Sequence, residues 1–140
     1  MGPIEKNTII LGMGIKLVIV DDAPFIREVL KHAFAATDVV VVAEASDGVE
    51  AIEIVNSHKP DVVLMDIVMP RKSGIEATIE ILKKHPDVRI IACSTVDQNT
   101  MVMRALEAGC CNYITKPFKA DDVIKAVKAA GQSRSKEETL

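Results

Sequence analysis

Six polar residues carry the chemistry open to this sequence: Asp21, Asp22, Asp66, Ser94, Thr95 and Lys116. Each stands at the end of a short run of largely apolar residues. Carboxylates brought within a few ångström repel one another and raise each other's pKa values, and a divalent cation relieves that repulsion. Mg²⁺ suits such a set, because it takes oxygen ligands, keeps several waters and uses one or two carboxylates together with a phosphate oxygen. Mn²⁺ could take its place. The cysteines and histidines show no ligand-like spacing, so zinc has no site to claim. Lys116 supplies a mobile point charge and Ser94 a hydroxyl donor. A cation, an ammonium and a hydroxyl around a carboxylate are what stabilising a transferred phosphoryl group requires. Asp66, after the most hydrophobic run, is the natural nucleophile, since a carboxylate can accept phosphate as an acyl phosphate. Any one of these residues could simply cap a strand or helix; six at corresponding places ask for a common purpose.

They act together only if the fold delivers them to one place. Residues 15–20, 39–43, 62–65 and 90–93 are rich in Val and Ile and continuous rather than alternating, which is how strands buried on both faces read. A weaker fifth run is 113–115. Amphipathic patterns lie between them. Pro24 suits a first helical turn, and Phe25, Val29, Ala33 and Phe34 form an apolar stripe behind it. Asp47 with Glu50, and Ser73 with Glu76, have capping-box spacing. The second helix is expected to bury Ala51, Ile52 and Val55; the third, Ile75, Ile79 and Leu82, ending at His85-Pro86. Val102, Ala105 and Leu106 mark a fourth helix that ends near Gly109. Val123, Ile124 and Val127 mark a fifth, with Asp121 and Asp122 in its first turn and Gly131 after its end. This alternation predicts an α/β fold: a doubly wound, five-stranded parallel sheet with right-handed crossovers and helices on both faces. Ligands of such sheets bind at the carboxyl ends of the strands, where all six residues fall.

The 140 residues suffice for one domain, placed at 15–130. Residues 1–14 read as a leader or added extension, and 131–140 as a flexible tail or linker. With 49% hydrophobic and 26% charged residues, the chain can bury a core without disulfide or metal staples. A formal charge of −3 and the lack of any Lys/Arg block exclude direct nucleic-acid binding. The apolar stretch 9–20 contains Lys16 and two glycines and is too short for membrane insertion. Cys93, Cys110 and Cys111 read as small buried hydrophobes in a reducing cytoplasm.

Four motifs together carry a resemblance: Val18-Ile19-Val20-Asp21-Asp22; Val63-Leu64-Met65-Asp66-Ile67-Val68-Met69-Pro70 with Gly74; Ser94; and Tyr113-Ile114-Thr115-Lys116-Pro117-Phe118. The chain resembles a response-regulator receiver domain, similar to the single-domain chemotaxis regulators of two-component systems. The resemblance implies a flavodoxin-like strand order of 2-1-3-4-5. It implies that Asp66 accepts phosphate from a sensor histidine kinase or phosphotransfer protein. Asp22, Asp66 and the Val68 backbone carbonyl would bind Mg²⁺, with Asp21 acting through water. Lys116 would contact the phosphoryl group, before a cis bond to Pro117. Ser94 and Tyr113 would form the switch, and residues 97–108 and 113–130 the face for a downstream output protein or domain, or for a phosphorylation-dependent dimer. A turnover enzyme is not expected. Phosphatases resembling the haloacid-dehalogenase family carry a second Asp two residues after the nucleophile, and Val68 stands there instead.

Three positions depart from the chemotaxis pattern. Thr95 replaces a usual Ala or Gly and is expected to narrow access to Asp66. Val68 and Val96 replace polar residues that position hydrolytic water, which predicts a long-lived phosphoryl group. Two alternatives remain open from the residues: a pseudo-receiver that serves as an unphosphorylated interaction module, and the receiver portion of a larger transcriptional regulator.

Overall fold

The computed structural model describes residues 14–139, with side chains as far as residue 133. Five strands, β1 (Lys16–Val20), β2 (Val40–Ala45), β3 (Val62–Asp66), β4 (Arg89–Ser94) and β5 (Asn112–Thr115), form one sheet in the order β2-β1-β3-β4-β5. Every neighbouring pair is parallel. Five helices alternate with them: α1 (Pro24–Ala35), α2 (Gly48–His58), α3 (Gly74–Lys84), α4 (Asn99–Ala108) and α5 (Ala120–Thr139).

The continuous apolar runs have a direct explanation in the two cores. Side chains along a strand point alternately to opposite faces. Val18, Val20, Val63 and Met65 enter one core with α2, α3 and α4. Leu17, Ile19, Val62 and Leu64 enter the other with α1 and α5. Both faces of β1 and β3 are therefore dry, and every residue of β3 is buried. Polar side chains have no place along these strands and appear only where they end.

Several local expectations need correction. On α1, Phe34 of the expected stripe is buried, but Phe25 is 75% exposed and Val29 also lies at the surface, and Leu30 is buried in their place. On α3, Ile75 and Ile81 are buried and Ile79 is exposed; on α4, Ala105 is buried and Leu106 is exposed. Strand β2 runs two residues beyond its apolar run, because Glu44 keeps its charge paired with Arg27 and Lys31. Ser73 and Glu76 make the full capping box. Asp47 accepts from the Glu50 amide, but the Glu50 carboxylate takes the Ser46 amide one residue earlier, so that box is incomplete. Helix α5 does not stop at Gly131. The residue lies inside it, where an added Cβ would come within 2.6 Å of Ile15 Cδ1, so glycine serves close packing there rather than termination. Cys93 and Cys110 are buried as expected, whereas Cys111 is exposed. The leader assigned to 1–14 falls, Gly14 aside, outside the described residues.

Candidate metal and phosphoryl site

The carboxyl edge of the sheet gathers the polar residues that the alternation of elements predicts. Asp21 follows β1 and is buried; Asp22 beside it is exposed. Asp21 Oδ1 accepts from the Ala23 amide at 2.9 Å, a local turn that fixes its carboxylate, and Oδ2 accepts from Lys116 Nζ at 2.5 Å. Asp66 closes β3 and is buried; its Oδ1 accepts from the Val68 amide at 3.3 Å, and its Oδ2 lies 3.6 Å from Lys116 Nζ. Ligand oxygens of Asp21, Asp22 and Asp66 all lie within 4.8 Å of one another.

The neighbouring strand ends complete the rim. Ser94 closes β4, buried, with Oγ accepting from the Val96 amide at 3.2 Å. The Lys116 amide donates to the Ser94 carbonyl at 2.8 Å, which aims the lysine back at the carboxylates. Tyr113 is half-buried, and its hydroxyl donates to the Val96 carbonyl. Val68 is 58% exposed beside Asp66 and Val96 is half-buried. Thr95 is exposed and shares the wall of an apolar recess of about 400 Å³ with Phe25, Val29, Lys116 and Phe118. The Lys116–Pro117 peptide is cis.

Electrostatics set the resting state of the site. Burial pushes the Asp66 carboxyl up to about 6; the Lys116 charge opposes this and Asp21 adds to it. Burial alone would lower the Lys116 ammonium, yet the Asp21 hydrogen bond and the charges of Asp66 and Asp21 outweigh it and raise the pKa. Burial pushes the Cys93 thiol up to about 12, so the sulfur behind the site is inert.

The cluster fits a hard divalent cation. Its donors are carboxylate oxygens, no thiolate or imidazole belongs to it, and Lys116, paired with Asp21 and near Asp66, leaves a carboxylate repulsion that a cation would relieve. Other groups act on this edge without any local signal in the sequence. Arg27 Nη1 donates to the Asp21 carbonyl at 2.6 Å, while its Nε pairs with Glu44, 17 positions along the chain.

A family model described as the response regulator receiver domain matches residues 17–128. The chain belongs to that family. The chemotaxis protein CheY of Listeria monocytogenes is 42% identical over 118 residues, which cover 84% of this chain and 99% of that protein. The transcriptional regulatory protein DegU of Brevibacillus brevis is 40% identical over 119 residues, 84% of this chain but only 50% of DegU. Among solved structures, the CheX-CheY-BeF3-Mg²⁺ complex from Borrelia burgdorferi is similar with a TM-score of 0.81 and 28% identity, covering 85% of this chain and 90% of that one. Receiver domains are phosphoacceptor signalling modules of two-component systems that bind Mg²⁺ at an acidic pocket. Among the described residues, no helix is long and apolar enough to cross a membrane.

Proposed function

We propose that this receiver accepts a phosphoryl group on Asp66 from the phosphohistidine of a sensor histidine kinase or phosphotransfer protein, and passes the signal to a protein partner in the cytoplasm. One observation carries the reading: a buried carboxylate closes the central strand with its Oδ2 3.6 Å from a lysine ammonium, inside a cluster of acidic oxygens. An Asp66 oxygen attacks phosphorus, the P–N bond breaks, and its electron pair leaves with the imidazole. Asp22, Asp66 and the Val68 carbonyl would hold Mg²⁺ or Mn²⁺, with Asp21 behind them through water. When bound, the cation neutralises charge on the phosphoryl oxygens. Lys116, resting between Asp21 and Asp66, is placed to offset the charge that remains.

The added phosphate carries nearly two negative charges and strong acceptor oxygens. Ser94 would turn its hydroxyl from the Val96 amide toward it, and the ring of Tyr113 would follow, since both side chains bond to Val96. Residues 97–108 and 113–130 then present a changed surface to the output partner, a shift between two packings of one core. The Borrelia structure is a complex of CheY with the protein CheX, which supports a protein partner for this fold.

Intact-mass analysis after incubation with acetyl phosphate and Mg²⁺ tests the reading. One phosphoryl group is expected on the wild type and none on Asp66→Asn or on chelator-treated protein. Equal addition to Asp66→Asn would overturn the assignment.

A further inference from the structure

Strand β2 lies at the edge of the sheet and gives no residue to the acidic cluster. Its carboxyl end nevertheless reaches both loops that do. On one side, Glu44 Oε1 accepts from Arg27 Nε at 2.9 Å, and the same guanidinium donates through Nη1 to the Asp21 carbonyl at 2.6 Å. Lys31 Nζ fixes the other Glu44 oxygen at 2.7 Å, and the Asp21 amide donates to the Ala45 carbonyl at 3.0 Å. The turn that carries Asp21 and Asp22 is thus hooked to β2 by backbone and side chain together.

On the other side, Asp47 Oδ2 accepts from Arg71 Nε at 2.8 Å and Nη2 at 2.5 Å, while Oδ1 caps α2 through the Glu50 amide. Arg71 has a φ of +66°, a left-handed backbone that a non-glycine residue adopts only when its surroundings hold it there. Beside it the Gly48 amide donates to the Lys72 carbonyl at 3.0 Å, and a Cβ on Gly48 would lie 2.4 Å from that oxygen. The loop 67–73 therefore sits on the start of α2 at backbone contact. Its far end is fixed to the site itself, since the Gly74 amide donates to the Ile67 carbonyl at 2.9 Å.

We propose that Glu44 and Asp47, acting through Arg27 and Arg71, are positioning residues: the end of β2 and the start of α2 brace the 21–23 and 67–73 loops so that Asp21, Asp22 and the backbone at Val68 face the cation with Asp66. The proposal rests on the reading of the acidic cluster as a Mg²⁺ site. Stability alone does not explain the Arg71–Asp47 pair, because the Arg71 side chain is 60% exposed and ion pairs with so exposed a partner add little. What a guanidinium offers here is shape. Arg27 reaches a carboxylate through Nε and a backbone carbonyl through Nη1, two donor atoms held apart in one rigid plane, where an ammonium has a single nitrogen.

The test uses the full chain carrying Arg27→Gln, Arg27→Lys, Arg71→Gln or Asp47→Asn, the last chosen because Asn still caps a helix. Calorimetric titration with Mg²⁺ gives the dissociation constant, and amide exchange of 67–73 without metal gives loop order. Both Gln variants are expected to bind Mg²⁺ about tenfold more weakly, the lower end for groups that orient metal ligands from outside. Arg27→Lys should not rescue. Asp47→Asn should match Arg71→Gln, the double variant should be no worse than either, and both should exchange faster at 67–73. Affinity within about twofold of wild type in both Gln variants, with only thermal stability reduced, would overturn the proposal. If the wild type itself binds no Mg²⁺, the metal reading fails separately, and unchanged exchange at 67–73 would then overturn the brace on its own.

Discussion

Asp66 combines two properties that usually exclude each other, burial and a need for charge. Its carboxyl titrates at about 6 in the folded chain and near 4 when unfolded, so between those values the native state holds more protons. Stability from this group is therefore greatest at low pH, falls as pH rises from about 4 to about 6, and stays reduced above that. Asp66→Asn removes the penalty. Without metal it should stabilise the protein at pH 7.5 by about 2–3 kcal/mol, with the gain shrinking toward zero near pH 4. Thermal unfolding across that range checks this; a gain that does not depend on pH would contradict the stated cause. At the same scale, Val68 and Val96 offer no hydrogen bond from their side chains to a hydrolytic water. Replacing Val68 with Asn and Val96 with Glu should shorten the phosphoryl lifetime several-fold, read as the decay of phosphorylated protein. An unchanged decay would mean that the aliphatic pair does not set the lifetime.

Strands and helices were legible where sequence and packing speak with one voice. Continuous Val/Ile runs place β1, β3 and β4 correctly, because dryness on both faces demands them. The buried face of α1 was not legible. The expected stripe of Phe25, Val29, Ala33 and Phe34 straddles two faces: Phe34 also shares helical spacing with Ile26 and Leu30, and only the sheet beneath decides that this second set goes inward. Leu30→Ala should cost about 2–5 kcal/mol and Phe25→Ala less than about 0.5, measured by denaturant unfolding. Equal costs would mean that the helix is turned about its axis in solution. Gly131 misled for a related reason: glycine near a helix end looks like a stop, and only the approach of Ile15 shows why it is small.

For the molecule as a whole, the fold explains why a site is readable in a sequence at all. A parallel sheet sends every strand's end to one edge, so Asp21, Asp66, Ser94 and Lys116, scattered over 96 positions, meet because their strands are neighbours. What the sequence does not announce are the pairs that support this edge. Arg27 and Glu44 lie 17 positions apart, and Asp47 and Arg71 lie 24 apart, spacings without meaning until β2 and α2 are packed beside the site. Asp47 in particular has an obvious local task as a cap, which hides its second one.

The central claim is that Asp66 receives the phosphoryl group. The most direct measurement is chemical location of the modified residue: Mg²⁺-treated wild type is phosphorylated, reduced with borohydride to convert an acyl phosphate to homoserine, and mapped by peptide mass spectrometry. Homoserine is expected at position 66 and at no other aspartate. Homoserine at Asp21 or Asp22, with position 66 intact, would contradict the claim.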